Sequence, residues 1–135
     1  MANEATLIFE TEIPLPFTVA NATGIEKGTL LKLTDPMTAI ISSADDDACA
    51  GIAAEEKIAS DGKTKLGVYR RGIFKVLGSG SITVGDAVAL GGLGGDNEVI
   101  TAGVNAENIL GTALETSTDG ETLLIELNPR GINLA

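Results

Sequence analysis

The 135-residue sequence has no histidine, no tryptophan and a single cysteine, Cys49. Without histidine the chain lacks the side chain that most often serves as general base or metal ligand near neutral pH. One cysteine excludes an intramolecular disulfide and any zinc site built on cysteine pairs. Set in Ala48-Cys49-Ala50, it reads as a small buried apolar residue. Aromatic residues amount to 3%, so a core has to be assembled from Val, Ile, Leu and Ala. So thin a core favours oligomerisation to complete the burial. No stretch approaches the roughly 18 apolar residues of a membrane span. Met1-Ala2-Asn3-Glu4 lacks the basic start of a signal peptide. The product is therefore expected to be soluble and made in a cytoplasm.

Positive charge is also scarce: nine Lys and Arg face nineteen Asp and Glu, a net charge of −10. Nucleic acid is disfavoured as a partner, because binding phosphates needs basic residues clustered on one surface. Six of the nine basic residues lie between Lys57 and Lys75, a local stripe better suited to an acidic protein surface or to solvent.

What the chain does contain is apolar, glycine-rich and repeated. Hydrophobic residues make up 44% and glycines number 17, which suits a folded all-β chain with many turns. The central stretch is Ser81-Ile82-Thr83-Val84-Gly85-Asp86-Ala87-Val88-Ala89-Leu90. Its Ile82, Val84, Val88 and Leu90 fall on one face of an extended chain, with a turn or bulge at Gly85-Asp86. An earlier copy places Ile25, Gly28, Leu31 and Leu33 at a constant distance of 57 residues from Ile82, Gly85, Val88 and Leu90. Gly51-Ile52-Ala53-Ala54-Glu55 matches Gly111-Thr112-Ala113-Leu114-Glu115 at 60, and Asp61-Gly62 matches Asp119-Gly120 at 58. The drift puts length differences in loops, as a duplication should. Each Asp-Gly pair signals a hairpin turn. Residues 49–57 are read as a strand, with room for one helical turn at 45–48. The expected fold is all-β, a small barrel or sandwich with an internal pseudo-repeat and an extended N-terminal arm. The arm covers residues 1–22, and one β domain covers 23–135, with pseudo-repeats at about 23–69 and 80–128.

The arm is apolar and proline-spaced: Leu7-Ile8-Phe9, then Ile13-Pro14-Leu15-Pro16-Phe17. Two prolines remove ladder donors and argue against a central strand. Either the segment folds onto its own domain as an edge strand, or it docks on a neighbouring subunit or partner. Extended, 20 residues reach up to about 65 Å. These eight residues, with Arg70 and Arg71, are the candidate contacts to a neighbouring subunit or partner surface. Deletion of residues 1–18 is expected to leave the β domain folded.

No constellation carries chemistry. Gly91-Gly92-Leu93-Gly94-Gly95 lacks the Lys-Ser/Thr pair of a phosphate loop and reads as a loop. Asp45-Asp46-Asp47 lacks the alternating ligands of a calcium loop and reads as a solvated acidic turn. Glu55 and Glu115 match across the copies, which suits a structural position, and Arg70-Arg71 suits a partner-facing edge. No catalytic residue, cofactor or metal is expected.

The residues of the second half resemble the small phage capsid cement, or head decoration, proteins. The resemblance runs through Arg71-Gly72-Ile73-Phe74-Lys75-Val76, Gly80 to Val88, and Ile109 to Glu115. It closes with Asp119-Gly120-Glu121-Thr122-Leu123-Leu124-Ile125-Glu126-Leu127. It implies a non-enzymatic β domain on the outside of an icosahedral head, commonly a homotrimer, bridging major capsid proteins against internal DNA pressure. The competing readings are a β-structural adaptor of a tail or cell surface, and a ligand-binding or enzymatic barrel. The last would need a concave polar pocket with convergent carboxylates.

Overall fold

The computed structural model describes residues 3–91, 96–103 and 106–132. Most of the glycine-rich loop noted in the sequence, residues 92–95, lies outside the described residues. Eleven strands account for the regular structure, and no helix occurs among the described residues, including at 45–48. They are β1 (Thr6–Phe9), β2 (Leu15–Thr18), β3 (Leu30–Asp35), β4 (Thr38–Ile41), β5 (Cys49–Ala53) and β6 (Lys65–Tyr69). The second half adds β7 (Gly72–Gly78), β8 (Ala87–Gly91), β9 (Glu98–Thr101), β10 (Asn108–Ala113) and β11 (Thr122–Gly131).

Strands β2-β4-β3-β5-β6 close a five-stranded barrel, and β7, β11, β10, β8 and β9 close a second with the same connectivity. Both close through a short parallel contact, Thr18↔Thr38 in the first and Leu77↔Glu98 in the second. Registers repeat as well: Leu31↔Gly51 answers Val88↔Gly111, and Phe17↔Leu66 answers Val76↔Leu123. The isolated bridges Ile25↔Lys57 and Ile82↔Ser117 complete the correspondence.

Gly51 and Gly111 show why glycine recurs in the repeat. A Cβ at Gly51 would collide with the carbonyl oxygen of Tyr69, and one at Gly111 with that of Glu126. Each barrel needs a strand without a side chain at that crossing.

The first barrel is filled by Phe17, Ile25, Leu31, Leu66 and Val68, and the second by Phe74, Ile82, Leu90, Leu110, Leu123 and Ile125. Leu30, Cys49 and Ile52, from the first half, pack into the second core. The two barrels thus share a buried seam along β5.

The repeat starts earlier than the sequence suggested. The boundary at residue 22 is corrected, because β2 lies inside the first barrel and Phe17 is 2% exposed. Pro16 fits there for a definite reason. Val19 donates to Thr64 O on the β6 side, and Thr18 donates to Met37 O on the β4 side. By alternation, the donor missing at Pro16 faces the β4 edge, where β4 pairs with β2 only at Thr18. Deleting residues 1–18 would therefore open the first barrel rather than spare it. Upstream, β1 crosses to the other half and pairs antiparallel with β7 as an edge strand.

Val84 also departs from the single-face expectation: Ile82, Val88 and Leu90 are buried, but Val84 is exposed. The alternation breaks at a turn where Gly85 has φ +92° and the Asp86 carboxylate accepts from Thr83 N at 2.9 Å.

Candidate functional site

Polar side chains near the seam serve structure. Asp46, at φ +59°, accepts from the amides of Glu107 and Asn108 at 3.3 and 3.2 Å, while its carbonyl accepts from Asn108 Nδ2. Asp47 accepts from the amides of Ser43 and Ala44, both at 2.9 Å. Two of the three consecutive aspartates thus cap backbone. Among the described residues no group of three or more His, Cys, Asp or Glu could hold a metal ion. Asn97 holds the barrels together from the other side. Its Oδ1 accepts from Leu30 N at 2.8 Å, and its Nδ2 donates to the carbonyls of Asn3 and Gly28. Asp46 stood out in the sequence only as part of an acidic turn, and Asn97 not at all; neither bridging role was visible. The one available signal was that Asp and Asn tolerate positive φ.

The positive stripe between Lys57 and Lys75 is largely spent within the fold. Lys57 is buried, and its ammonium donates to Asn21 O, Ile58 O and Asp61 Oδ1 at 2.7, 3.0 and 3.0 Å. Lys63 pairs with Glu55, and Lys65 donates to Thr18 Oγ1. Arg70 turns inward, donating to Cys49 O and Ala50 O of β5 and to Pro129 O of β11. Its neighbour Arg71 is exposed.

The apolar contact candidates also divide. Phe17 belongs to the first core, and Leu7 packs against the second. Pro14 is half-buried, and Pro16 is exposed but apolar over a small area. Ile8, Phe9, Ile13 and Leu15 remain open to solvent, with Phe9 65% and Ile13 71% exposed. They follow the chain from β1 on the second barrel to β2 on the first. Tyr69 lies under this ribbon, donating to Glu10 Oε2 at 3.0 Å and meeting Phe74 edge-on at 5.5 Å. Burial, then the Glu10 carboxylate, raises the Tyr69 pKa. The result is a band of large aliphatic and aromatic side chains, on β1, on β2 and on the segment joining them, that no described residue covers. Exposed apolar groupings of this kind are common at association surfaces of other proteins.

A second feature is a cavity of about 510 Å³ between the barrels, lined by Gly24–Glu26, Thr29–Leu30, Ile41–Ser42 and Glu56–Ile58 of the first half and by Asn97 and Glu98 of the second. Ile25 and Leu30 form its buried wall, and the carboxylates of Glu26, Glu56 and Glu98 line it as well. Burial and then the Asp96 charge raise the Glu98 pKa, against a hydrogen bond from Ser79. The residues lining the cavity include no cysteine, and the sequence has no histidine.

The fold is similar to that of the head fiber N base of bacteriophage phi29. The identity is 18% and the TM-score 0.55, covering 90% of this chain and 98% of that one. No curated protein matches the sequence. The family model for phage cement proteins matches residues 9–128, from the last residue of β1 through nearly all of the second barrel. Matched over most of its length, the chain belongs to the phage cement protein family.

Proposed function

We propose that the chain decorates the outer surface of the phage head as a homotrimer, tying neighbouring major capsid proteins together. The protein would be made in the host cytoplasm and reside in the virion. The observation that carries this reading is the exposed ribbon of Ile8, Phe9, Ile13 and Leu15 across both barrels. Side chains carried on or between strands already paired into the sheets lose less entropy on docking than those of a free arm, and repeated weak contacts stabilise an assembled shell that none of its parts would hold alone. The acidic balance, −10 overall, suits a protein kept off the packaged genome.

Burying the open two-thirds of Phe9 removes about 100–160 Å² from water, about 2–4 kcal/mol per copy before association costs. Co-sedimentation with expanded heads tests the reading. Wild-type protein should pellet in stoichiometric amount, and Phe9→Ser with Ile13→Ser should lose at least about tenfold in affinity while melting normally. Sedimentation equilibrium should give a trimer. If wild-type protein stays in the supernatant, the adaptor reading replaces this one.

A further inference from the structure

We propose that the cavity between the barrels receives an extended polypeptide segment carrying a lysine or arginine beside an aliphatic residue. The segment would come from the shell protein, and that source rests on the decoration reading above. Size comes first: about 510 Å³ lies within the range of pockets that enclose a ligand, and it is open to a neighbouring chain. The walls are aliphatic. Ile25 and Leu30 are buried behind it, while Ile41 and Ile58 stand 40% and 65% exposed at its margin. Large side chains left open beside a cavity have an apolar surface still to be covered.

Charge then selects the occupant. Glu26, Glu56 and Glu98 line the cavity, and among the described residues the ion pairs are Lys57–Asp61 and Lys63–Glu55, so none of the three has a cation. The one cationic residue in the lining, Lys57, has its ammonium committed to Asn21, Ile58 and Asp61. Every uncommitted charge at the cavity is therefore negative. A lysine or arginine of a partner would lay its methylene stem along Ile41 and Ile58 and bring its charged head among the carboxylates. Glu98, already hindered from ionising by burial and by Asp96, would gain a counter-charge. An aliphatic neighbour on the same segment would cover Ile25 and Leu30. A bare polyamine would satisfy the charge and leave those walls uncovered.

The test titrates the full chain, with isoleucine methyls labelled, against blocked acetyl-Ala-Leu-Lys-Ile-Ala-amide. The expected result is saturable shifts at Ile25, Ile41 and Ile58 that weaken with added salt. Glu56→Gln with Glu98→Gln should raise Kd about tenfold or more, and Glu12→Gln with Glu126→Gln, an equal charge change outside the cavity, should leave it unchanged. If the double variant fails to fold, Glu26→Gln alone gives the same comparison from an exposed site. The inference is overturned if the lysine peptide does not saturate, if its glutamate analogue shifts the same methyls, or if spermidine alone binds as tightly. No heads enter this titration. A failed sedimentation assay therefore leaves it standing, and a failed titration leaves the decoration reading intact.

Discussion

Arg70 and Arg71 are adjacent in sequence and opposite in environment, so they provide a paired test of what joins the barrels. Replacing Arg70 by Met keeps an unbranched stem and removes the guanidinium that reaches Cys49 O at 3.2 Å, Ala50 O at 3.0 Å and Pro129 O at 3.4 Å. The first two bonds have good length and the third is marginal. Hydrogen bonds from a charged donor contribute about 1.5–3 kcal/mol each. Partial exposure and the loosening of a long side chain reduce the sum, leaving an expected loss of about 2–3 kcal/mol. For a chain of this length that is a fall in Tm of about 6–9 °C. Because the fork spans β5 and β11, the loss falls on the seam, and amide exchange should quicken in both strands before it does in β3 or β8. Arg71→Met, at an exposed site, should stay within about 0.5 kcal/mol of wild type. Thermal and urea melts of the two variants decide the matter. Equal melting of Arg70→Met and wild type would refute the account of the seam.

A Cβ at Gly85 meets no atom within 4 Å, so backbone strain at φ +92° sets the expected cost of Gly85→Val, about 1–2 kcal/mol in a melt. Gly111→Ala puts a methyl into the carbonyl of Glu126 and should lower Tm well beyond Gly85→Val, although it is the smaller residue. The Cys49 thiol, pushed up to about 12 by burial and then by the Asp46 charge, should resist thiol reagents until denaturant is added. Glu121 is held below its ordinary pKa by the amide and then the hydroxyl of Thr118. Its contribution is present above the unfolded carboxylate pKa and is lost as pH falls through the lower folded value. Glu121→Gln should therefore be less stable than wild type at neutral pH, with the gap closing in acid melts.

Much of the fold was legible because the repeat is written in residues whose roles are local. Gly51 and Gly111 mark a crossing that admits no side chain, while Ile25 and Ile82 fill equivalent core positions. The start of the repeat was hidden, since Leu15-Pro16-Phe17-Thr18 and Phe74-Lys75-Val76-Leu77 share a place in the barrel and no residues at matched positions. Pro16 argued against a central strand because the sequence cannot show which edge its missing donor faces. The ribbon was visible as apolar residues, but not its division into the exposed Phe9 and the buried Phe17. Arg70, Asp46 and Asn97 act across the seam at separations of 20 to 94 residues. Pairwise contacts at that range leave no periodic trace in a single sequence.

The crossing of β1 to the far barrel has a consequence for synthesis. The first barrel can close once Tyr69 has left the ribosome, whereas Thr6–Phe9 has no strand to pair with until β7 follows it. At ordinary elongation rates the wait is roughly 3–14 s. Through that interval Leu7, Ile8 and Phe9 stay uncovered on the nascent chain, which makes them the natural first substrate for a chaperone.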